Sequence, residues 1–447
     1  MNEARSTDAA ALARRGSVVT LAGASFLATA FALVTGPLMA RALGPSGRGE
    51  VAAATVYATL ITLLASLGLP AAVGYSSATK LHAIPALLAT TLRYAVWLTL
   101  PMIAVAVAIT AGPLSDLSPG GRLGAAVMIA IVPVGVLGNC LAAILVSEEA
   151  LGPLTRLRIL PPLLATLCTV AMYVVGNLTV LVALAIGVGT VVWTALLAWR
   201  LVRLRPHGRA PFGWMVRFGL RGYPGTLAVF TTHMIDQAVI FAMLGSRPLG
   251  FYAVAVTISA IPNSVWLAIY SGYFARVAEE EDRIARGMLI SQALRLTLLA
   301  SVLVSAAIAV ASPLLLPVLY GQEFARAVGP LLLLLPGTVV FCASMVGESF
   351  LTATGRPGRV TFAELSGLAL TLVGLPIVVP RWGIVGAAIL SSVSYSVVLA
   401  VCVTFLRQGG PVSLRIQRTD LVAFADLARN LSRRVRPGHG VRATPAD

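Results

Sequence analysis

Charge is what this sequence has least of: Asp, Glu, Lys and Arg make up 11% of its 447 residues, and only 17 of those are carboxylates. A soluble domain carries about a quarter. With 58% hydrophobic residues and a mean hydropathy of +0.89, a set of soluble domains is excluded and a chain made mostly of membrane spans remains. Cysteine is nearly absent too. Cys140, Cys168, Cys342 and Cys402 stand singly in apolar stretches without CxxC spacing, which argues against disulfides and metal ligands and for small buried apolar residues. The glycine-rich stretch 41–50 follows a helix and lacks GK[ST], so it is no phosphate cradle. Glu148 and Glu149 are adjacent on a solvated loop rather than held in a cleft, which argues against acid–base chemistry. No basic run is interleaved with aromatics, so nucleic acid is not a partner, and neither a cofactor nor a metal is implied.

Apolar runs of bilayer length occur twelve times, near 16–40, 51–74, 94–111, 123–146, 159–176, 180–199, 223–244, 251–270, 290–311, 328–350, 362–379 and 384–405. The expectation is an all-α polytopic membrane protein. Lys and Arg account for 33 residues and collect at the N-terminus and in every second loop: Arg14 and Arg15, Lys80 and Arg93, Arg156 and Arg158, Arg200 to Arg217, Arg283 and Arg286, Arg356 and Arg359, and the tail. Cytoplasmic loops carry that excess, so both termini are expected inside a multi-pass cell-membrane protein. The same bias supplies most of the net charge of +16. The opening ten residues contain two acidic residues, and the first apolar span is too long for a signal peptide and lacks a cleavage site, so it reads as retained. The expected parts are an N-terminus over 1–15, a six-helix bundle over 16–199, a cytoplasmic linker over 200–217, a second six-helix bundle over 218–406 and a basic tail over 407–447. In that tail an apolar stripe from Leu421 to Val435, flanked by Arg429, Arg433, Arg434 and Arg436, reads as an interfacial helix on an anionic inner leaflet.

The two bundles echo each other. Leu244-Gly245 with Gly250, Ala253 and Ala255 repeats Leu43-Gly44 with Gly49, Ala52 and Ala54 at a constant offset of 201. Six spans per bundle is even, so the repeats run parallel about an axis normal to the membrane, with a substrate path between them. Asp236, with His233 one turn earlier, falls deep inside the seventh span, where an ionisable group is costly unless it faces a partner or a wet cavity. Asp236 is a candidate coupling group with His233 as its partner, or a structural hydrogen-bonding residue. Arg295 sits about two turns inside the ninth span, where snorkelling and facing a cavity are both open. Glu348, Glu364, Arg356 and Arg359 are expected to form an ion-pair cluster at the inner surface.

Several stretches carry a resemblance: Arg41-Ala-Leu-Gly with Gly47 to Gly49; Asp236 followed by Leu244-Gly245 and Gly250-Phe-Tyr-Ala253; Leu319-Tyr-Gly321 with Ala325; Ala353-Thr-Gly355-Arg356; and Pro380-Arg-Trp-Gly383-Ile-Val-Gly-Ala-Ala388. In that order the chain resembles the polysaccharide-biosynthesis flippases, the O-antigen and exopolysaccharide branch of the superfamily that also holds the multidrug-and-toxin extrusion (MATE) proteins and lipid II flippases. The resemblance implies a MATE-like V of two six-helix bundles related by a pseudo-two-fold axis. It also implies alternating access, with a polyprenyl-pyrophosphate-linked oligosaccharide as substrate and glycan-assembly proteins as candidate partners. Cationic residues in the central cavity for the pyrophosphate are a further implication. Arg221, Arg295 and Arg41, then Arg93, are the candidates, since the planar arginine fork bonds two phosphate oxygens at once. A drug/cation antiporter of the same superfamily would favour acidic cavity residues instead. A membrane glycan polymerase or ligase would need a sizeable outer loop, and the outer loops here are about ten residues at most, as in 113–122.

Overall fold

The computed structural model describes residues 2–148 and 150–415, with nearly all side chains placed from Ala30 onward. The basic stripe of the tail lies outside the described residues. Apolar residues surround most helices on every side, as hydrocarbon requires, and the backbone satisfies its own polar groups within each helix. The helices are α1 (Asn2–Ser66), α2 (Leu69–Ala78), α3 (Ile84–Ala111), α4 (Pro119–Ala130), α5 (Val132–Ser147), α6 (Leu151–Val174) and α7 (Val180–Val202) in the first half. In the second they are α8 (Phe212–Leu244), α9 (Ser246–Ser259), α10 (Asn263–Glu279), α11 (Arg283–Tyr320), α12 (Val328–Ala353) and α13 (Pro357–Arg407), with a 3₁₀ turn at Gln322–Ala327.

Among the described residues nine helices are long and apolar enough to cross a membrane, and α4 with α5, bent by 46°, makes a tenth. Two of the nine hold a backbone break. Gly44 in α1 has φ 64° and ψ −178°, and Gly383 in α13 has φ 59° and ψ −142°. That region of backbone space is open essentially to glycine alone, so each breaks a long helix into two segments, where the sequence expects one span to end and the next to begin. Helix α8 starts at Phe212 and α7 ends at Val202, so the non-helical joint between the halves is shorter than the expected 200–217. It is fastened to α3 by Thr90, whose hydroxyl meets both the N–H and the carbonyl of Ala210. The eighth span breaks into α9 and α10 at Ala260 to Pro262, where proline leaves the preceding turn without a donor.

The repeat is visible in the backbone. Gly245, 201 residues after Gly44, has φ 83° and ψ −171° and turns α8 into α9 as Gly44 turns the first span into the second. The helices that follow these two turns cross with no room for a side chain. A Cβ on Gly49 would collide with the Ser246 carbonyl, and one on Gly250 with the Pro45 carbonyl. A single buried core surrounds this crossing and draws on both halves, including Val51 to Ala54, Leu114, Leu184, Leu249 to Ala255, Leu375 and Ala387. At the opposite end, the expected inner face, there are two cores, and the one built mainly from the first half takes in Met215 at the start of α8. One contains Leu69, Leu88, Leu141 and Ala198, the other Ile290, Phe350, Val398 and Cys402. The two bundles thus share one core at the expected outer end and meet again lower down, where α2 packs against the start of α8. Cys140, Cys342 and Cys402 are buried as expected, while Cys168 on α6 is exposed, against expectation.

Candidate functional site

Below the fused core lies a cavity of about 570 Å³ between the halves. Its floor is a second glycine contact: a Cβ on Gly68 would lie 2.7 Å from the Gly219 carbonyl group, and one on Gly219 would lie 2.7 Å from the Gly68 oxygen. Tyr223 of α8 latches the same level, its hydroxyl 2.8 Å from Ser66 Oγ and donating to the Leu63 carbonyl. Thr59, Thr62, Ser66, Asn139, Tyr223 and Thr226 give the wall its polar groups, and Leu63 and Phe230 its apolar ones. A smaller cavity of about 250 Å³ inside the first half shares Thr59, Thr62 and Asn139 and adds Thr190 and Thr194.

These hydroxyls have a common arrangement. Thr59, Thr62, Thr190 and Thr194 each donate to the carbonyl four residues back on their own helix, at 2.7–2.8 Å. Their protons are engaged and their lone pairs are left to accept. Asn139 adds an amide that both donates and accepts. Among the described lining residues of both cavities there is no charged side chain. The wall thus combines apolar surface with uncharged hydrogen-bonding groups.

The candidate arginines do not converge here. Arg221 is exposed and precedes the cavity-lining Gly222. Arg41 donates through Nε to the Leu319 carbonyl at 2.8 Å and through Nη2 to that of Val318, placing its charge on the carbonyl end of α11, where the helix dipole favours a cation. Arg295 is 6% exposed and donates to the Ser413 carbonyl at 3.2 Å, tying α11 to the segment after α13. Arg93 lines a separate cavity of about 330 Å³ with Arg209, Trp97 and Phe212.

Asp236 is 2% exposed within the second half. Tyr252 of α9 donates to its Oδ2 at 2.5 Å, Ser391 of α13 donates to the same oxygen at 3.3 Å, and the Gln237 amide donates to Oδ1 at 2.7 Å. His233 is engaged elsewhere. Its Nδ1 is 3.0 Å from the Tyr395 hydroxyl, its ring stacks on Tyr395 with centroids 5.0 Å apart, and Phe341 meets it edge-on. The expected Asp236–His233 pair is thus two neighbouring polar contacts on one helix, both facing α13. Tyr252, Ser391 and Tyr395 complete this cluster, and sequence reading missed them. Ser391 and Tyr395 stand four apart in the apolar last span, which is the trace they leave in the sequence.

The expected cluster of Glu348, Glu364, Arg356 and Arg359 does not form. Arg359 donates to the Phe405 carbonyl and lies over the Phe405 ring at 5.1 Å, while both glutamates are buried. The ion pair found among the described residues joins Arg247 and Glu323 at 3.3 Å on the exposed outer end. Arg48, four residues after the Gly44 turn, has its Nε buried and unpartnered.

Comparison with known proteins places this arrangement. The model of the family described as polysaccharide biosynthesis protein matches residues 38–329. Among solved structures, the chain is similar to the lipid II flippase MurJ in an inward closed conformation, with a TM-score of 0.71 at 10% identity over 94% of each chain. It is also similar to an inward-facing MATE multidrug resistance transporter, with a TM-score of 0.65 at 13% identity over 88% of this chain and 97% of the other. A transporter of the same superfamily from Pyrococcus furiosus, described as having a binding pocket of reversed polarity, gives 0.56 at 15% identity over 88% and 95%. No curated protein matches the sequence. At these identities the solved structures establish the fold.

Proposed function

Because the chain belongs to the polysaccharide biosynthesis protein family, we propose that it is a flippase moving a polyprenyl-pyrophosphate-linked oligosaccharide from the inner to the outer leaflet of the cell membrane. The observation that carries this reading is the uncharged lining of the cavity between the halves, with hydroxyl lone pairs at Thr59 and Thr62 and an amide at Asn139. Sugar hydroxyls are met by such groups. A drug/cation antiporter would instead place carboxylates in this wall, and Asp236, Glu348 and Glu364 lie inside the second bundle. Catalysis is not part of the reading, because the cavity wall presents no nucleophile with an adjacent base.

An apolar groove of about 460 Å³ between the first span and the second half, lined by Leu33, Pro37, Ile258, Val304 and Ile308, supports a place for the lipid tail. Arg221, next to the cavity wall, is the residue we assign to the pyrophosphate. Arg41, Arg295 and Arg93 hold structural contacts or line other surfaces. Asp236 is assigned to coupling, since it is the carboxylate at mid-span that links α8, α9 and α13, with His233 and Tyr395 beside it. Alternating access then amounts to rocking of the two bundles, with the outer crossing at Gly49 and Gly250 as the gate that parts in the outward-open state. The direct test is transbilayer movement of a labelled polyprenyl-pyrophosphate oligosaccharide in proteoliposomes, scored by protection from an impermeant reagent. Protein-dependent movement is expected. Its absence with several glycans, alongside cation-driven dye efflux, would assign the protein to the antiporters instead.

A further inference from the structure

Arg93 of α3 and Arg209 of the joint between the halves line a cavity of about 330 Å³ with Tyr94, Trp97 and Phe212. Both arginines are exposed, and neither makes a hydrogen bond or an ion pair among the described residues. No carboxylate stands in the described wall to neutralise them. The two are held near each other by the backbone: Thr90, one turn before Arg93, meets the Ala210 amide at 2.9 Å and the Ala210 carbonyl at 3.1 Å, which fastens the residue after Arg209 to α3. The aromatic wall is fixed as well. Tyr94 donates to the Ala65 carbonyl at 2.6 Å, and its ring centroid lies 5.3 Å from that of Phe212.

A stripe on α3 continues from this cavity. Arg93, Trp97, Leu100, Ala104 and Val107 recur at helical spacing and all are exposed, Trp97 at 81%, Leu100 at 78% and Val107 at 63%. The stripe is cationic at its start, aromatic one turn on and apolar beyond. Arg93 precedes the expected third span by one residue at the inner face, and Val107 stands about 21 Å of helix further on. One leaflet's hydrocarbon is about 15 Å thick, so the stripe runs the depth of the inner leaflet. Tryptophan and tyrosine favour the boundary between headgroups and hydrocarbon, which is the level that Tyr94 and Trp97 hold here. A free anion would use only the first turn of the stripe, and a neutral lipid would leave both arginines without a counter-charge.

We propose that this cavity holds the phosphate of an anionic phospholipid of the inner leaflet, gripped by Arg93 and Arg209, with an acyl chain lying along Trp97, Leu100 and Val107. Basic pockets between spans on the cytoplasmic side take such headgroups, and the planar arginine fork bonds two phosphate oxygens at once. The headgroup then bridges α3 and the joint between the halves. The site stands apart from the transport reading, since none of its lining residues lines the central cavity.

The test is photocrosslinking of the full-length protein in phosphatidylcholine vesicles doped with phosphatidylglycerol that carries a diazirine in its acyl chain, followed by peptide mapping. In the wild type, where no variant has to fold, the label is expected to concentrate around Trp97 and Leu100. A diazirine phosphatidylcholine at the same mole fraction should label that stretch no more than other lipid-facing helices. The apparent affinity for phosphatidylglycerol should fall about 30-fold in R93Q/R209Q. R200Q/R203Q, with the same loss of charge outside the cavity, should keep the wild-type value. Even labelling of all lipid-facing spans, equal labelling of the stretch by the two probes, or unchanged affinity in folded R93Q/R209Q overturns the proposal. Competitors separate the sources of phosphate: unlabelled phosphatidylglycerol should remove the label. Displacement by inorganic pyrophosphate would show an anion site alone, and stronger displacement by farnesyl pyrophosphate would give the cavity to the transport substrate; either result overturns the proposal.

Discussion

Replacing Gly49 or Gly250 by alanine tests whether the fused outer core sets the conformational balance. A methyl group on Gly49 would sit 1.7 Å from the Ser246 carbonyl oxygen and 2.6 Å from its carbon, where ordinary contact begins near 3.4 Å. Both obstacles are backbone, so relief requires the two helices to part by well over an ångström. Overpacking of this kind costs about 1–3 kcal/mol, and the cost falls only on the state in which the outer crossing is closed. A penalty of about 2 kcal/mol shifts the balance toward an outward-open form by about 30-fold. The assay uses a variant without native cysteines and with Cys at Thr59, which lines the cavity. An impermeant maleimide added from outside should label G49A and G250A much faster than the parent. Gly189→Ala, at a glycine with no neighbour within 4 Å, should leave the rate unchanged and give a small stabilisation of about 0.5–1 kcal/mol. Equal outside labelling in the parent and in folded G49A and G250A would refute the idea that this crossing is the closed gate.

Asp236→Asn should strongly reduce transport at an unchanged protein level, and near-normal movement of lipid-linked glycan would remove the residue from coupling. Arg221→Glu should weaken binding of a lipid-linked pyrophosphate several-fold or more, whereas unaltered binding would leave the pyrophosphate without this contact. Cysteine labelling should find position 208 accessible from the cytoplasm and position 119 from outside; the reverse pattern would invert the topology. Asp282 caps α11 by accepting from the amides of Ile284 and Ala285, and those bonds hold its carboxyl below the usual range. The cap is then complete above the ordinary Asp pKa and is lost as pH falls through the lowered one. Amide exchange at the start of α11 should quicken in that acid range in the wild type and be fast at every pH in Asp282→Ala.

The long apolar runs made the spans legible, and small residues at the 201-residue offset made the repeat legible, because both depend on local composition and spacing. Gly44 and Gly245 were the sharpest of these signs, since the chain must reverse there in a backbone conformation that other residues avoid. The depth of Asp236 was legible for the same reason. Its partners were not, because Tyr252 and Ser391 come from two other helices, and Ser391 is 155 positions away. Arg41 shows the limit most clearly. Sequence offers an arginine beside a glycine turn, while the carbonyl of Leu319 that holds it is 278 residues distant. The glutamates misled in another way. Arg356 and Arg359 stand between Glu348 and Glu364 in the chain, but helical rotation turns the acids inward and the cations toward Gly409 and Phe405.

The fused outer core also sets an order of assembly. The strip from Gly49 to Ala54 finds its partner in Leu249 to Ala255, some 200 residues later in the chain. At a synthesis rate of about 5–20 residues per second, that partner emerges roughly 10–40 s after the strip has entered the bilayer. During that interval a helix face of small residues, shaped for close approach, is open to any other helix in the membrane. Insertion of this chain therefore includes a waiting period in which the first bundle is complete except for its most intimate surface, and a membrane chaperone that covers the strip would act there.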